Sequence, residues 1–280
     1  MPFRTRPQDQ PPMKVPLLNP RVTLKWLAAH ARGRGVEVAV IDSGIDASHP
    51  RLAGRISRGC SVAKSKQGNI VIREVEARRN RDSYGHGTAV AGIIADLAPS
   101  VRIVSVKVLD EYNSCTGDVL IAGLKWALDQ NIPLLNMSLT TSKPAYIPKL
   151  FELCERAYVQ KNIIVAARRN FGDLGCPAMF SSVISVDREE YTEKLRVHYR
   201  PHNMVEFDAR GTQVKVLAPG GGYAMQTGTS FATPHVCGMV ALLLEIFPGL
   251  TAMEAKSSLK GFSDALATVR RHPKTAKHAR

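Results

Sequence analysis

Three polar residues stand in short motifs rich in small residues, and together they could carry out nucleophilic acyl transfer. Asp42 follows the apolar run of AVIDSGID, His86 lies between glycines in DSYGHGTAVAG, and Ser230 lies in QTGTSFATPHV. A serine hydroxyl attacks a carbonyl when an imidazole removes its proton and a carboxylate holds that imidazole in place. Each motif alone has an ordinary alternative: a turn at a strand end, a structural histidine or a helix cap. The combination favours a catalytic triad.

The order and spacing of the three motifs resemble those of the subtilase family. His86 follows Asp42 by 44 residues, and Ser230 follows His86 by 144. The order Asp, His, Ser is that of subtilisin. The similarity runs from about residue 36 to residue 260, and GTSFATPHV at 228–236 is its most specific part. It implies a serine endopeptidase with an acyl-enzyme intermediate, acting as an intracellular processing or regulatory protease. A catalytically silent binding module with the same fold is the alternative.

The resemblance also implies an oxyanion-binding amide and a segment that pairs with extended substrate. Asn170, after the apolar run IIVAA, falls where subtilases carry the side-chain amide that binds the oxyanion. The segment LNMSLT resembles the strand that pairs with substrate, so Ser138, Leu139 and Thr140 are expected to give backbone hydrogen bonds to the bound peptide. A glycine is common in the family at the position of Thr140, so this side chain is expected to narrow the cleft.

The predicted substrate pocket departs from the family pattern. Arg168 and Arg169 stand where an Ala-Gly pair usually precedes the asparagine. These two cations either change the substrate preference or point into solvent. In the first case they favour an acidic residue just before the scissile bond, because a shielded cation attracts a carboxylate. Phe171 and Gly175, which the resemblance also places near this pocket, suggest an apolar floor instead.

No cofactor is expected, and the calcium site of secreted subtilisins is expected to be absent. In those enzymes a calcium-binding loop interrupts the histidine helix, and an aspartate shortly after the first motif joins the same ion. Here HGTAVAGIIADLAPS continues without that loop, and Arg51 stands where the aspartate would be. Calcium requires about six oxygen ligands, and a cationic side chain among them repels it. We therefore expect no metal site.

Charge and composition limit the partners. The chain has 280 residues and a formal net charge of +14, which could favour an acidic polypeptide substrate, nucleic acid or a lipid surface. No motif for reading bases accompanies that charge, so nucleic acid is not expected. No segment approaches the ~18 uninterrupted apolar residues of a membrane span. A polypeptide substrate is the expected partner, with an acidic preference as one of the alternatives for the pocket, and the oligomeric state is left open.

The cysteines and the N-terminus predict a cytoplasmic protein. The five cysteines are odd in number, scattered and without metal-ligand spacing, which is typical of buried thiols in a reducing compartment. The N-terminal segment MPFRTRPQDQPPMKVPLLNP is basic and rich in proline, and it does not have the apolar core of a secretory signal.

Apolar runs alternate with amphipathic segments, which is typical of a parallel sheet covered by helices on both faces. Strands are predicted at 36–41, 101–109, 133–139, 163–167, 183–186 and 214–217. Helices are predicted at 23–31, 86–97, 117–130, 148–160, 229–246 and 252–260, with Pro234 in the first turn of the fifth. The predicted fold class is α/β, a three-layer subtilisin-like fold. The charged segment 187–210 is predicted to be a surface excursion.

The chain is predicted to have one catalytic domain, at residues 36–262, between two extensions. Residues 1–35 form a proline-rich arm that is either a short inhibitory propeptide across the active site or an arm on the surface. Residues 263–280 form a basic tail that is either solvated or a docking segment.

Overall fold

Eleven strands form the β-structure in the part of the chain that a computed structural model describes, residues 22–172 and 175–270. They are β1 (Glu37–Asp42), β2 (Ile56–Lys64), β3 (Ile70–Glu76), β4 (Arg102–Lys107), β5 (Leu134–Met137), β6 (Ile163–Ala167), β7 (Ile184–Glu189), β8 (Val197–Tyr199), β9 (Phe207–Arg210), β10 (Val214–Ala218) and β11 (Gly222–Gln226). Nine of them form one sheet in the order β3-β2-β4-β1-β5-β6-β7-β9-β8, which is parallel except for β3 and β8 at its edges. The strands β10 and β11 form a separate antiparallel hairpin.

Helices cover both faces of the large sheet. The helices are α1 (Leu24–His30), α2 (His86–Leu97), α3 (Gly117–Asp129), α4 (Ile147–Gln160), α5 (Thr229–Ile246) and α6 (Ala252–Arg270). The apolar residues of α1, α2, α5 and α6 share one core cluster with the sheet, and those of α3 and α4 share the other. The predicted three-layer α/β architecture is confirmed.

The sequence of the central strand explains the two cores. Successive side chains of a strand point to opposite faces of a sheet. In β1, Val38 and Val40 belong to the first core, whereas Ala39 and Ile41 belong to the second. Because both faces are apolar, β1 is buried over almost its whole length, and its carboxyl end carries Asp42.

The prediction that residues 187–210 form a surface excursion is wrong. This segment contains the end of β7 and the strands β8 and β9, which complete one edge of the sheet. The sequence pattern did not reveal these strands because their charged side chains pair with one another on the sheet instead of facing solvent alone. Arg200 donates to Asp187 and to Asp208, at 2.8 and 3.1 Å, beside the fully buried Phe207.

Several other element boundaries differ from the prediction. The hairpin β2–β3 was not predicted, because its outer strand is largely exposed and has no clear alternation of apolar residues. The predicted strand at 214–217 forms, but in the separate hairpin rather than in the main sheet. Helix α6 continues to Arg270, so residues 263–270 of the predicted tail are helical.

Helix α5 crosses the interior of the molecule. It is apolar and long enough to span a membrane by length and composition, the one such helix among the described residues, and 83% of it is buried inside the fold. These are the properties of a core helix. Pro234 is its sixth residue, so the prediction that this proline lies in the first turn is wrong. A hydrogen bond from another chain segment, described below, compensates for the missing N–H.

The part of the predicted arm that the structure describes is attached to the end of α5. Leu27 of α1 is fully buried in the core, and the carboxylate of Glu245 accepts hydrogen bonds from three consecutive backbone N–H groups. These groups belong to Arg32, Gly33 and Arg34. Residues 1–21, which make up most of the proline-rich arm, lie outside the described residues. So do residues 271–280 of the tail.

Candidate active site

Asp42 lies at the carboxyl end of β1 and is completely buried. Its backbone carbonyl accepts hydrogen bonds from Val108 N and Leu109 N, at 2.8 and 3.1 Å, so the strand end is fixed. Its Oδ1 accepts from Ser43 N at 2.8 Å and from His86 Nδ1 at 2.8 Å. Its Oδ2 is buried and has no hydrogen-bond partner among the described residues. Among the described side chains, that of His86 is therefore the one that donates a hydrogen bond to this carboxylate.

His86 is the first residue of α2, and its ring is held between Asp42 and an aromatic side chain. The preceding Gly85 has a φ of 104°, a conformation that suits glycine and sets the direction in which the helix begins. The ring centroid of Phe231 lies 5.3 Å from that of His86. Burial by itself would lower the pKa of His86, but the charge of Asp42, its hydrogen bond and the charge of Asp82 together raise that pKa above the ordinary value of 6.5.

Asp82 holds the two triad segments together, and the sequence analysis did not identify it. Its Oδ1 accepts from Ser43 Oγ and Gly85 N, at 2.8 and 2.7 Å, and its Oδ2 accepts from Thr88 N and Oγ1, at 2.8 and 2.6 Å. The hydroxyl of Ser43 in turn accepts from Gly87 N at 3.0 Å. These bonds join the residue after Asp42 to the first turn of α2. The signal in the sequence was a carboxylate four residues before the motif histidine.

Lys107 also supports this region and was also missed. It pairs in register with Asp42 across β1 and β4, and its Nζ donates to the carbonyl of Ser43 at 2.9 Å. Burial lowers the pKa of Lys107, although nearby carboxylates, Asp82 foremost, oppose that shift. The side chain thus fixes the turn that follows Asp42.

Ser230 is the second residue of α5 and is nearly buried. Its backbone carbonyl accepts a hydrogen bond from Ser138 Oγ at 2.9 Å, and Asn136 Nδ2 donates to that same hydroxyl at 2.9 Å. Within a helix this carbonyl would accept from the N–H four residues later, which Pro234 lacks. Ser138 therefore replaces the missing helical hydrogen bond and anchors the start of α5 to the end of β5.

Asn170 faces the same helix start. Its Oδ1 accepts from Thr229 N at 3.0 Å, which fixes the orientation of the amide because a backbone N–H can only donate. Its Nδ2 makes no hydrogen bond to the described residues and is free to donate. The backbone N–H of Ser230 is in the first turn of α5, where N–H groups have no helical partner. Two donors are therefore available beside the serine.

One cleft of about 570 Å³ brings most of the predicted site residues together. Its lining includes the triad members His86 and Ser230, and Asp42 lies buried behind the imidazole. His86 and Ser230 make no hydrogen bond to each other in the described structure, and such bonds often tighten only with substrate bound. The other predicted residues in the lining are Asn170, Ser138, Leu139, Thr140, Arg168, Arg169 and Phe171.

Cys115 also lines the cleft, and its thiol is a second candidate nucleophile there. Burial, assisted by the charge of Asp110, raises the pKa of its thiol to about 11. The thiolate is the reactive form of cysteine, so this side chain stays inactive at neutral pH.

The two arginines of the cleft differ in their surroundings. Arg168 forms an ion pair with Asp187, with 3.2 Å between Nη1 and Oδ2. Arg169 is exposed, and its one hydrogen bond to the described residues is to the hydroxyl of Ser142, at 3.3 Å. Both still line the cleft, together with Lys143, and the described part of the lining includes no carboxylate. Among the described residues, Arg169 and Lys143 form no ion pair, so of the two arginines only Arg168 is balanced by a carboxylate.

Phe171 and Gly175 do not form the predicted apolar floor. Phe171 is 80% exposed, so its ring lies at the rim of the cleft. Gly175 faces Thr140 so closely that a Cβ on this glycine would lie 2.7 Å from Thr140 Cβ. This contact is backed by a two-way backbone bridge between Thr141 and Cys176, at 2.9 and 2.8 Å. The Thr140 side chain thus fills space that a glycine would leave open.

Arg51, which the sequence resemblance places where secreted subtilisins carry a calcium-ligating aspartate, is part of an ion pair. It contacts Asp96 of α2, with 3.8 Å between Nη2 and Oδ1. No group of three or more metal-binding side chains occurs among the described residues.

Comparison with known proteins places this geometry in a family. The model of the family described as "Subtilase family" matches residues 33–270. The chain is 32% identical over 262 residues to an intracellular serine protease of Paenibacillus polymyxa, covering 88% of this chain and 78% of that protein. It is 30% identical over 272 residues to subtilisin DY of Bacillus licheniformis, covering 89% of each.

A solved structure agrees with the sequence comparisons. The crystal structure of a cold adapted subtilisin-like serine proteinase superimposes with a TM-score of 0.67 at 29% identity, over 82% of this chain and 83% of that one. The fold and the family predicted from the motifs are thus confirmed, and so is the predicted hydrolysis of peptide bonds. The chain belongs to the subtilase family and is a subtilisin-like serine peptidase.

Proposed function

We propose that the chain is an endopeptidase that uses Asp42, His86 and Ser230 as its catalytic triad. The observation that carries this proposal is the 2.8 Å hydrogen bond between His86 Nδ1 and the buried Asp42 Oδ1, beside a cleft that Ser230 also lines. Because Asp42 accepts this bond, the ring proton is on Nδ1 and Nε2 is left as the base.

The reaction proceeds by acyl transfer. His86 Nε2 takes the proton from Ser230 Oγ while Oγ forms a bond to the substrate carbonyl carbon. The imidazolium, stabilised by Asp42, then gives its proton to the leaving amine as the carbon–nitrogen bond breaks. Water, deprotonated by the same imidazole, hydrolyses the acyl-enzyme and releases Ser230.

Asn170 Nδ2 and the backbone N–H of Ser230 stabilise the oxyanion of both tetrahedral intermediates. The support is the orientation of the Asn170 amide, which Thr229 N fixes through Oδ1, so that Nδ2 is the free donor. Donors fixed before the reaction stabilise developing charge without reorganising. The backbone at Ser138, Leu139 and Thr140 binds the extended peptide along the adjoining wall of the cleft.

The preferred substrate carries an acidic residue just before the scissile bond. The support is the charge of the cleft, to which Arg168, Arg169 and Lys143 contribute and in which the described lining has no carboxylate. Because Asp187 already pairs with Arg168, Arg169 is the residue that meets the substrate carboxylate. A guanidinium can bind a carboxylate through two parallel hydrogen bonds.

The protease acts inside the cell as a processing or regulatory enzyme and needs no calcium at the position of Arg51. Two features support the location: the similarity to the intracellular serine protease of Paenibacillus polymyxa, and five free cysteines, four of them buried. The pairing of Arg51 with Asp96 supports the absence of calcium.

The N-terminal arm inhibits the enzyme by lying across the cleft. Residues 32–34 of the arm are fixed to Glu245, fifteen residues along α5 from Ser230, which corresponds to roughly 22 Å of helix. At roughly 3.3 Å per residue, residues 1–21 have a maximum reach of about 70 Å, which exceeds that distance. Deletion of residues 1–20 should increase the initial rate of peptide hydrolysis, and an unchanged rate would contradict inhibition by the arm.

Kinetic measurements on folded, arm-deleted variants test the proposed triad. We expect Ser230→Ala and His86→Ala each to lower kcat for peptide hydrolysis by about 10⁶-fold, the scale known from subtilisin, the family's own reference enzyme. Asn170→Ala should lower kcat by about 10²–10³, again the scale of subtilisin. If the parent chain is folded but hydrolyses no peptide, the fold is a catalytically silent binding module and the proposal is wrong.

A further inference from the structure

A second pocket, of about 330 Å³, lies between α2, α5 and the hairpin strand β10. It shares no lining residue with the active-site cleft. Its apolar wall includes Ile93, Val214 and Val216, which are buried together in a small core cluster. This volume is within the range of small-ligand sites. The triad and its substrate do not account for this pocket.

The polar lining of this pocket is strongly cationic. Five basic side chains from four segments converge on it: Arg51, Arg55, Lys194, Arg210 and Lys215. Within the described lining they face a single carboxylate, that of Asp96, which is shared by Arg51 and Lys194. The remaining three basic side chains make no ion pair in the described structure. Arg55 donates to a backbone carbonyl, Arg210 to the carbonyl of Thr192, and Lys215 lies over the ring of Tyr223.

One of the lining arginines carries an unsatisfied donor. Arg210 Nε is buried and has no hydrogen-bond partner in the described structure. A buried N–H without a partner costs stability, and an acceptor brought by a ligand would remove that cost. His235 also lines the pocket, and burial, together with the nearby Arg210 and Lys194, lowers its pKa to about 4. The neutral His235 adds no positive charge to the pocket. The same basic side chains that disfavour its protonation, Arg210 and Lys194, favour a negatively charged ligand.

We propose that this pocket binds a compact, multiply charged oxyanion of the phosphate type, such as pyrophosphate. Guanidinium groups present several donors in a plane and match phosphate oxygens well, and two of the three cations without an ion pair are arginines. A ligand of this kind supplies acceptors for Arg210 Nε and balances Arg55 and Lys215. Because the ligand binds only the folded chain, it also raises the stability of the fold.

Titration calorimetry with sodium pyrophosphate tests the site. The chain carries Ser230→Ala to prevent self-cleavage, and ionic strength is held constant so that screening does not imitate binding. We expect one saturable site. The double variant Arg55→Gln/Lys215→Gln should weaken binding by about tenfold or more, the effect of losing charge-assisted hydrogen bonds. Arg210→Lys, which keeps the charge but removes the Nε–H, should weaken it similarly.

A charge-matched control decides the outcome. Lys25→Gln/Arg73→Gln removes two exposed cations outside the pocket and should leave the affinity unchanged. The proposal is overturned if binding does not saturate, or if this control weakens binding as much as the pocket variant. It is equally overturned if pentaglutamate binds as tightly as pyrophosphate, because the pocket would then be a general acidic-peptide surface. If Arg210→Lys does not fold, the comparison of Arg55→Gln/Lys215→Gln with Lys25→Gln/Arg73→Gln still tests whether binding depends on the pocket.

Discussion

The hydroxyl of Ser138 donates a 2.9 Å hydrogen bond to the backbone carbonyl of Ser230, the carbonyl that Pro234 leaves without its helical partner. A proline in the second turn would weaken most helices. Here Pro234 leaves the Ser230 carbonyl without a helical partner, and Ser138, at the end of β5, donates a hydrogen bond to it instead. The start of α5 and the end of β5 are thus fixed to each other beside the reacting atoms.

Removal of this bond should destabilise the chain in a way that depends on Pro234. Ser138→Ala leaves a buried carbonyl without a partner and should lower the free energy of unfolding by about 1–3 kcal/mol. In a Pro234→Ala background the new N–H of residue 234 can bond to the Ser230 carbonyl. Ser138→Ala should then lower the free energy of unfolding by about 1 kcal/mol less than it does in the parent chain. A double-mutant cycle by urea denaturation measures the difference, and a cycle with additive effects would contradict the compensation.

The acidic preference should depend on Arg169 more than on Arg168. Arg169→Gln should reduce the ratio of kcat/KM for peptides with Glu rather than Ala before the scissile bond by about tenfold, the worth of one charge-assisted hydrogen bond. Arg168→Gln removes the same charge but one that Asp187 already balances, so its effect should be smaller.

A profile of cleavage sites in a mixed peptide library provides the independent check on substrate preference. No enrichment of Asp or Glu before the scissile bond would contradict the preference itself. Equal effects of the two arginine substitutions would contradict the assignment to Arg169.

The raised pKa of His86 fixes the direction of the pH dependence. The base must be neutral, so kcat/KM should fall with decreasing pH through a midpoint above 6.5. Asp82→Asn removes one cause of the rise and should move that midpoint to lower pH. The exposed Glu152→Gln removes the same charge elsewhere and should leave it in place. A profile of Asp82→Asn that matches the parent would exclude Asp82 from tuning the imidazole.

The raised pKa of His86 also affects the stability of the fold, and its contribution to stability falls with increasing pH whereas activity rises. Because the folded state raises the pKa of His86, the protonated imidazole stabilises the fold below about pH 6.5. That contribution is lost as pH rises through the folded-state pKa. Activity is therefore greatest where this contribution has disappeared.

Chelation should leave the chain unaffected. The guanidinium of Arg51 pairs with Asp96 where secreted subtilisins are expected to bind calcium. We therefore expect EDTA to leave the unfolding midpoint unchanged and elemental analysis to find no stoichiometric calcium before treatment. A secreted subtilisin treated in parallel shows that the chelator acts. About one tightly bound calcium per chain that EDTA removes would show that this expectation is wrong.

The motifs predicted the fold and the helices that carry His86 and Ser230 well because each lies at a strand end or a helix start, where local sequence sets the geometry. The helices at 86–97 and 229–246 form with the predicted bounds. The segment 187–210 was misread because its charges pair across the edge strands rather than with solvent. That pairing depends on residues brought together only by the fold.

The support of the site was harder to predict than its centre. Asp82 stands four residues before His86, but its contact with Ser43, like that of Lys107, arises only when the fold brings these segments together at the end of β1. The roles of the two arginines likewise depend on Asp187, a residue of another strand. The exposure of Phe171 follows from the path of its loop.

Covalent labelling with a fluorophosphonate probe tests the central claim that Ser230 is the activated nucleophile. The account predicts that the folded, arm-deleted chain gains one adduct, that peptide mapping places it on Ser230, and that Ser230→Ala abolishes it. His86→Ala should slow labelling strongly while leaving Ser230 in place. A folded chain that does not label, or that labels equally well after Ser230→Ala, would contradict the account.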